Sequence, residues 1–153
     1  DNINCLIEYS NHLVCNMWYS KVALGNRNGL KVRVLGSEGF AEWLQEEPER
    51  INISDSHGNN SIVDRGSIKS IISNQKRYTR FKAGHPTGFI EAFANYYEDI
   101  ADGLTIHLNE KTTQIDSDEF FGINEAYEGI SLFEAISKSD KSKSWETIIK
   151  SDN

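Results

Sequence analysis

The first part of the chain alternates apolar and polar residues with a period of two. Residues 3–9 place Ile3, Cys5 and Ile7 on one side and Asn4 and Glu8 on the other, which is the pattern of a half-buried strand. Further short runs of this kind follow, separated by turn residues, at positions 13–23, 30–36, 40–45, 50–54 and 61–64. The pattern therefore predicts an antiparallel meander that begins with a hairpin.

From residue 84 the spacing of apolar residues changes to that of a helix. Between Gly84 and Gly103, Pro86 suits a first helical turn and Gly103 suits a helical end. One side of this predicted helix is apolar, carrying Phe89, Ile90, Phe93, Ala94, Tyr97, Ile100, Ala101 and Leu104. The other side carries Glu91, Asn95, Glu98, Asp99 and Asp102, so the helix is amphipathic.

A second amphipathic helix is predicted to begin near Asn124, with Glu125 in its first turn. Its apolar stripe is Ala126, Tyr127, Ile130, Phe133 and Ile136. The Ser/Lys-rich residues 137–144 are predicted to end it in a solvated turn, and residues 145–149 to form a last strand. Residues 66–82 have a weak pattern, compatible with a short helix or an irregular connection.

This order of elements predicts one α+β domain over residues 1–153, an open, mostly antiparallel sheet with helices packed on one face. The sheet carries many large aromatic residues, namely Trp18, Tyr19, Phe40 and Trp43. Because large exposed apolar patches usually mark contacts, we expect the other face of the sheet to be an oligomer interface.

Charge and composition exclude several classes of partner. The 153 residues carry a net charge of -7, and a nucleic-acid binder needs concentrated positive charge instead. The densest basic run, residues 76–82, is predicted to be a solvated strand face rather than an anion site.

No apolar run is long enough to cross a membrane and no signal-peptide pattern is present. We therefore expect a cytoplasmic protein with Cys5 and Cys15 reduced.

Motifs for catalysis are absent from the sequence. There is no glycine-rich nucleotide fingerprint, no nucleophile elbow and no cysteine paired with a histidine. The four histidines are scattered without metal-ligand spacing. We therefore assign no catalytic, cofactor-binding or metal-binding residue to this chain.

Two places remain as candidates for binding. His85 precedes a predicted helix, where it either satisfies the first helical turn or, with the helix N-terminus, binds a polar or anionic substrate group. The loop Asn26-Arg27-Asn28 is either a tight turn or a set of donors and acceptors for a hydroxyl-rich ligand. The residues alone leave both alternatives open.

Two motifs resemble the Gfo/Idh/MocA oxidoreductase family. The first is an S-x-x-A-x-G-x-x-N-G-L run, a G-[ST]-x-G turn and E-W-x-Q-E-x-P, here at Ser20, Ala23, Gly25, Asn28, Gly29, Leu30, residues 36–39, Glu42, Trp43, Gln45, Glu46 and Pro48. The second is the H-P-x-G-[YF]-x-E-A-F-A-N-x-Y helix, here at His85, Pro86, Gly88, Phe89, Glu91, Ala92, Phe93, Ala94, Asn95 and Tyr97. The resemblance extends from the first hairpin to the last helix.

The resemblance implies that this chain is the C-terminal domain of an oxidoreductase acting on a sugar, polyol or related carbohydrate. The parent would have its own N-terminal Rossmann domain, bind NAD or NADP there, and form a homo-oligomer. The family's E-K-P and D-x-x-x-H motifs do not occur here, so the catalytic residues and cofactor are expected upstream. The start at Asp1 without Met agrees with a fragment. His85, Asn26, Arg27 and Asn28 are then candidate substrate contacts, with Tyr19 a weaker one.

Two other functions stay open at this point. One is a stand-alone protein-interaction module that uses the open sheet face. The other is a free-standing enzyme in which His85 and a nearby carboxylate exchange a proton with the substrate, which requires a perturbed histidine in a closed pocket.

Overall fold

A computed structural model describes residues 1–67, 75–111 and 121–149 of the chain. These residues divide into two compact units, one of residues 1–25 and 121–149 and one of residues 26–67 and 75–111. The strands are β1 Asn2–Glu8, β2 Val14–Ser20, β3 Lys31–Gly36, β4 Gly39–Leu44, β5 Arg50–Asp55 and β6 Asn60–Asp64, and the helices are α1 Phe89–Glu110 and α2 Ile123–Ser142. The predicted α+β class is confirmed, but the described strands form two sheets instead of one.

The first unit contains the predicted hairpin. Strands β1 and β2 pair antiparallel, with Cys5 opposite Met17 and Ile7 opposite Cys15. Ile7 is buried and both cysteines are half-buried, whereas Leu6 and Trp18 on the other face are exposed. Cys5 and Cys15 are free thiols, as expected.

The second unit contains a four-stranded antiparallel meander in the order β3-β4-β5-β6, as the alternation predicts. The register aligns Val32, Trp43, Ile51 and Val63 across the sheet on one face. Since successive residues of a strand point to opposite faces, Lys31 and Glu42 lie on the other face, where their ion pair measures 3.6 Å. One face is therefore apolar and the other mixed.

Helix α1 differs from its prediction at both ends. Pro86 lies before the helix, and Gly88 is the N-cap, with its N–H donating to the Glu91 carboxylate at 2.9 Å. Gly103 does not end the helix but lies buried inside it. The helix ends at Glu110, followed by Lys111 with φ 53°. A glycine costs about 1 kcal/mol relative to alanine within a helix, which a long helix tolerates.

The side of α1 that makes contacts also differs from the prediction. Its polar side, with Asn95 and Asp99, bonds to Arg77 and Arg80. The apolar side carries a ladder of rings, Phe89, Phe93 and Tyr97, with centroid separations of 5.1 and 6.0 Å, and these rings are largely exposed. The helix is therefore held by ion pairs, and the expected apolar packing of this stripe is not observed.

Helix α2 begins one residue before the predicted N-cap. Gly122 caps it, and its N–H donates to the Glu125 carboxylate at 2.7 Å. Its buried residues are Ser131 and Ala135, while Ile130 and Phe133 of the predicted stripe are exposed. The helix continues to Ser142, and the predicted strand at 145–149 is wrong because those residues form no regular element. Residues 68–74 of the weakly patterned stretch 66–82 lie outside the described part.

Candidate functional site

A cleft of about 310 Å³ lies within the second unit. Its floor is the apolar face of the sheet at Trp43, Ile51 and Val63, and its walls are residues 77–81 and the first turns of α1. The indole N–H of Trp43 donates to the Pro48 carbonyl at 3.1 Å, which fixes the ring. Small-molecule sites usually have such apolar floors with a few placed polar groups.

Arg65, directly after β6, holds one wall of this cleft. Its side chain is only 8% exposed and its Nε lies 2.5 Å from the Glu49 carboxylate. Its Nη1 donates to the carbonyls of Tyr78 at 3.0 Å and Phe81 at 2.6 Å. Its Nη2 donates to the carbonyls of Lys82 at 3.4 Å and His85 at 3.2 Å. One guanidinium therefore holds the whole 78–85 segment.

The arginines of the basic run 76–82 hold the other wall. Lys76–Tyr78 is a single 3₁₀ turn, so the predicted strand face is wrong. Arg77 pairs with Asp99 at 2.7 Å and donates to the Asn95 carbonyl. Arg80 pairs with Glu98 and donates to the Asn95 side chain. Local carboxylates hold these arginines onto α1, an arrangement that alternation in the sequence does not reveal.

The charges around the cleft do not favour an anion. Its three arginines, Arg65, Arg77 and Arg80, all engage carboxylates of the same unit. Asp64 and Glu91 add further negative charge to the lining. Because like charges repel at short range, a phosphate or other anion is disfavoured here.

His85 lies at the end of the segment that Arg65 holds. Its N–H donates to the Lys82 carbonyl at 3.1 Å and its carbonyl accepts from Arg65. The residue is exposed and is not among the residues lining the cleft. The main chain of His85 is thus fixed, while its imidazole stands on the surface.

The loop Asn26-Arg27-Asn28 lies at the same end of the four-stranded sheet. It is exposed, and it closes on itself through a bond from the Gly29 N–H to the Arg27 carbonyl at 2.7 Å. This loop precedes β3, whereas Arg65 follows β6. The loop and His85 therefore share one end of the sheet, next to its two opposite edge strands.

Tyr19, the fifth candidate, belongs to the first unit, on β2 opposite Ile3. About half of its surface is exposed. The described structure therefore has four of the five candidates in one unit and the fifth in the other.

Sequence reasoning did not find Arg65, Glu49 or Trp43 as parts of a cleft. Arg65 and Glu49 are sixteen residues apart, and nothing in the sequence marks two such residues as partners. The sequence shows only that Arg65 is a charged residue directly after a predicted strand. Such residues are common on protein surfaces and do not indicate a cleft.

Cys5 is not suited to nucleophilic chemistry. Burial, and secondarily the neighbouring Cys15, raise the pKa of the Cys5 thiol above its ordinary value. A raised pKa keeps the thiol protonated at neutral pH, and the thiolate is the nucleophilic form.

Each helix N-terminus has a carboxylate against its first N–H. The Gly88 N–H donates to Glu91 at α1, and the Gly122 N–H donates to Glu125 at α2. Within the described ranges no three His, Cys, Asp or Glu side chains cluster as metal ligands. No helix in that part of the chain is long and apolar enough to cross a membrane.

The described residues thus form an α+β domain in which a hairpin and a four-stranded antiparallel meander precede two helices. The family model "Oxidoreductase family, C-terminal alpha/beta domain" of the Gfo/Idh/MocA proteins matches residues 1–148. The chain therefore belongs to the Gfo/Idh/MocA oxidoreductase family and corresponds to its C-terminal domain, which confirms the resemblance.

Known proteins similar to the chain agree with this assignment. The Bacillus subtilis (strain 168) uncharacterized oxidoreductase YfiI is 25% identical over 136 residues, covering 88% of this chain and 34% of its own length. An oxidoreductase structure from Pseudomonas syringae matches 93% of this chain and 39% of its own, with TM-score 0.81 and 27% identity.

An inositol dehydrogenase homolog from Azotobacter vinelandii is also similar. Its complex with NAD+ covers 92% of this chain and 36% of its own, with TM-score 0.82 and 26% identity. Its complex with NADH and myo-inositol covers 72% and 29%, with TM-score 0.67 and 28% identity. This chain spans roughly a third of the length of these relatives.

Proposed function

We propose that this chain is the C-terminal, substrate-contacting and oligomerising domain of a longer NAD(P)-dependent oxidoreductase that acts on a sugar, polyol or related carbohydrate. The observation that carries the proposal is the family match over residues 1–148. The Azotobacter vinelandii homolog with NADH and myo-inositol supports the polyol class.

In this proposal the chain's own residues bind and orient the substrate. His85, Asn26, Arg27 and Asn28 present donors and acceptors at one end of the four-stranded sheet. Tyr19, on the hairpin of the first unit, stays the weaker candidate. The cofactor, NAD or NADP, supplies hydride transfer when bound to an N-terminal Rossmann domain of the same polypeptide. Placing the cofactor there agrees with the Glu91 and Glu125 carboxylates at the two helix N-termini.

The same proposal includes a cytoplasmic location and a homo-oligomer formed through the open sheet. The oligomer is supported by exposed apolar residues on the sheet face opposite the cleft, Leu35 and Ile62. Exposed apolar patches mark contact surfaces in folded proteins.

The test uses the polypeptide encoded by the complete reading frame that contains this chain. We expect it to reduce NAD+ or NADP+ in the presence of at least one member of a panel of cyclitols, linear polyols and aldoses. His85→Ala should lower kcat/KM about tenfold or more, since a substrate contact is lost.

His57→Ala is the matched control, because His57 is exposed on the hairpin loop at the opposite end of the same sheet. Equal activity of both variants would reject His85 as a substrate contact. Failure of the polypeptide to bind either dinucleotide would reject the proposed function itself.

The alternative is a protein-interaction module without enzymatic activity. The exposed ring ladder of α1 at Phe89, Phe93 and Tyr97 is the observation that favours it. A reading frame that begins near Asp1, together with no dinucleotide binding, would support this alternative over the enzyme.

A further inference from the structure

We propose that Arg65 is a positioning residue that fixes the main chain of residues 78–85 and, through it, the site of His85. The part concerning His85 rests on the proposed function, in which this histidine contacts substrate. The part concerning the segment rests on the geometry alone.

All five N–H donors of the Arg65 guanidinium are used in holding this segment. A guanidinium has five N–H donors in a rigid fork. Arg65 makes five contacts, one to the Glu49 carboxylate and four to main-chain carbonyls of Tyr78, Phe81, Lys82 and His85. With no donor left over, Arg65 does not bind a ligand directly and acts instead on the segment.

The four carbonyls need a cation between them. Their oxygens converge on one guanidinium that is nearly removed from water, and carbonyl dipoles that face one another repel in a medium of low dielectric constant. Glu49 balances the charge, and its main-chain carbonyl also accepts the Arg65 N–H at 3.2 Å. A neutral side chain at position 65 would remove the Arg65 donors from the carbonyls of Tyr78, Phe81 and His85, so the segment would move to reach water.

A second contact brings the same segment close to Arg65. A Cβ added to Gly66 would lie 2.6 Å from the Cβ of Ala83. Only a glycine next to Arg65 therefore permits this approach. Residues 65 and 66 together define where the chain lies just before His85.

The variant Arg65→Lys distinguishes the positioning of the 78–85 segment from the effect of the positive charge alone. Arg65→Lys keeps the positive charge beside Glu49, but an ammonium has three donors without the planar fork. It cannot satisfy a carboxylate and four carbonyls at once. Arg50→Lys is the matched control, because Arg50 lies on the adjacent strand in a surface pair, 4.0 Å from Glu47, with both side chains more than half exposed.

Amide hydrogen exchange of the 153-residue chain tests the positioning. The His85 amide donates to the Lys82 carbonyl within the segment, and the Tyr78 and Thr79 amides donate to the Gln75 and Lys76 carbonyls just before it. Exchange at these three amides reports opening of the segment. We expect Arg65→Lys to speed the exchange of these amides about tenfold or more. The exchange rates of the β3, β4 and α1 amides should stay unchanged. In Arg50→Lys all exchange rates should equal those of the wild type. Equal exchange in the two lysine variants would overturn the proposal. So would uniform acceleration across the unit, which indicates a general loss of stability.

Kinetics of the complete polypeptide test the route through His85. We expect Arg65→Lys to raise KM about tenfold with little change in kcat, since substrate binding weakens. In the His85→Ala background the same change should have no further effect. Additive effects would overturn the link to His85. Absence of any turnover would count against the proposed function, while the exchange data would still decide whether Arg65 positions the segment.

Discussion

The two ends of the four-stranded sheet are built from different kinds of contact. At the end where β4 and β6 finish, three arginines connect residues far apart in sequence: Arg65 is buried, Arg77 is half-buried and Arg80 is exposed. At the other end, tight turns join β3 to β4 and β5 to β6, and the Asp55 carboxylate accepts bonds from residues only two and four positions away. Long-range polar contacts shape the cleft end, and local ones shape the turn end. Removing one of these polar contacts should therefore lower the free energy of unfolding more at the cleft end than at the turn end.

The largest expected effect is at Arg65. Arg65→Met removes the cation from a buried pair and from four carbonyls, and breaking a buried ion pair from one side costs about 3–5 kcal/mol. The free energy of unfolding can be measured by urea titration with fluorescence of Trp43, in a background where Trp18 and Trp145 are phenylalanine. Trp43 is the sole tryptophan of the second unit, so the signal reports that unit.

The matched change is Arg50→Met in the same background. Its pair with Glu47 is exposed on both sides, and surface pairs contribute between 0 and about 1 kcal/mol. Similar losses in the two variants would contradict the distinction between the two kinds of contact.

The strands were predictable because each depends on local alternation. All six described strands follow the period-two runs to within a few residues, and the glycine-containing turn at residues 37–39 is where it was expected. The faces of the helices were not predictable in this way. The aromatic stripe of α1 predicted a buried side, yet Arg77 and Arg80 bind the opposite side. Ion pairs between residues about twenty positions apart leave no periodic signal.

The candidate site was predictable only in part. The family follows from motifs that contain His85 and Asn28, and those motifs are visible in the sequence. The cleft was missed because its lining comes from four separate segments, namely the β4–β5 turn, the end of β6, residues 77–81 and the start of α1. Spatial assembly of separate segments depends on tertiary contacts, and a single sequence does not report these.

The next largest loss of free energy of unfolding is expected for a change at Gly39, which lies at the turn end of the sheet. A Cβ at this position would lie 2.3 Å from the Ser54 carbonyl oxygen of the neighbouring strand, and strand backbones cannot separate without losing ladder bonds. Gly39→Ala should therefore destabilise the second unit by about 2 kcal/mol, measured by the same urea titration.

Gly58→Ala provides a comparison at the same end of the sheet. Gly58 has φ 83° but nothing lies within 4 Å of an added Cβ, so the cost there is backbone strain alone, about 1 kcal/mol. A larger loss at Gly58 than at Gly39 would show that strain outweighs the steric clash.

The pair between Arg77 and Asp99 should give an intermediate effect. Asp99 is 12% exposed on its side chain and lies 2.7 Å from the guanidinium, and hydrogen bonds to charged groups contribute about 1.5–3 kcal/mol. Asp99→Asn keeps the shape and loses the charge, so we expect a loss near the lower end of that range. Asp102→Asn is the control on the same helix, and a loss as large there would assign the effect to helix charge in general.

The smallest effect concerns Asp55 and depends on pH. Its carboxylate accepts bonds from the Asn59 side chain at 2.8 Å and from the His57 and Asn59 amides at 2.9 Å. These bonds, the Asn59 side chain first, lower the pKa of Asp55 below its ordinary value. A carboxyl whose pKa is lower in the folded state stabilises the fold above the unfolded pKa of about 3.9, and this stability is lost as pH falls through the folded pKa.

An acid titration followed by NMR separates this carboxylate from Asp140, whose pKa is lowered by Lys143. The donors to Asp55 are neutral, so its lowered pKa should persist in high salt, whereas the pKa of Asp140 should rise toward its ordinary value as salt screens the lysine. In Asp55→Asn, unfolding should become less dependent on pH below about 4. A rise of the Asp55 pKa with salt would mean that distant charges, and not the amides of its own loop, lower this pKa. The turn end would then depend on long-range contacts, as the cleft end does.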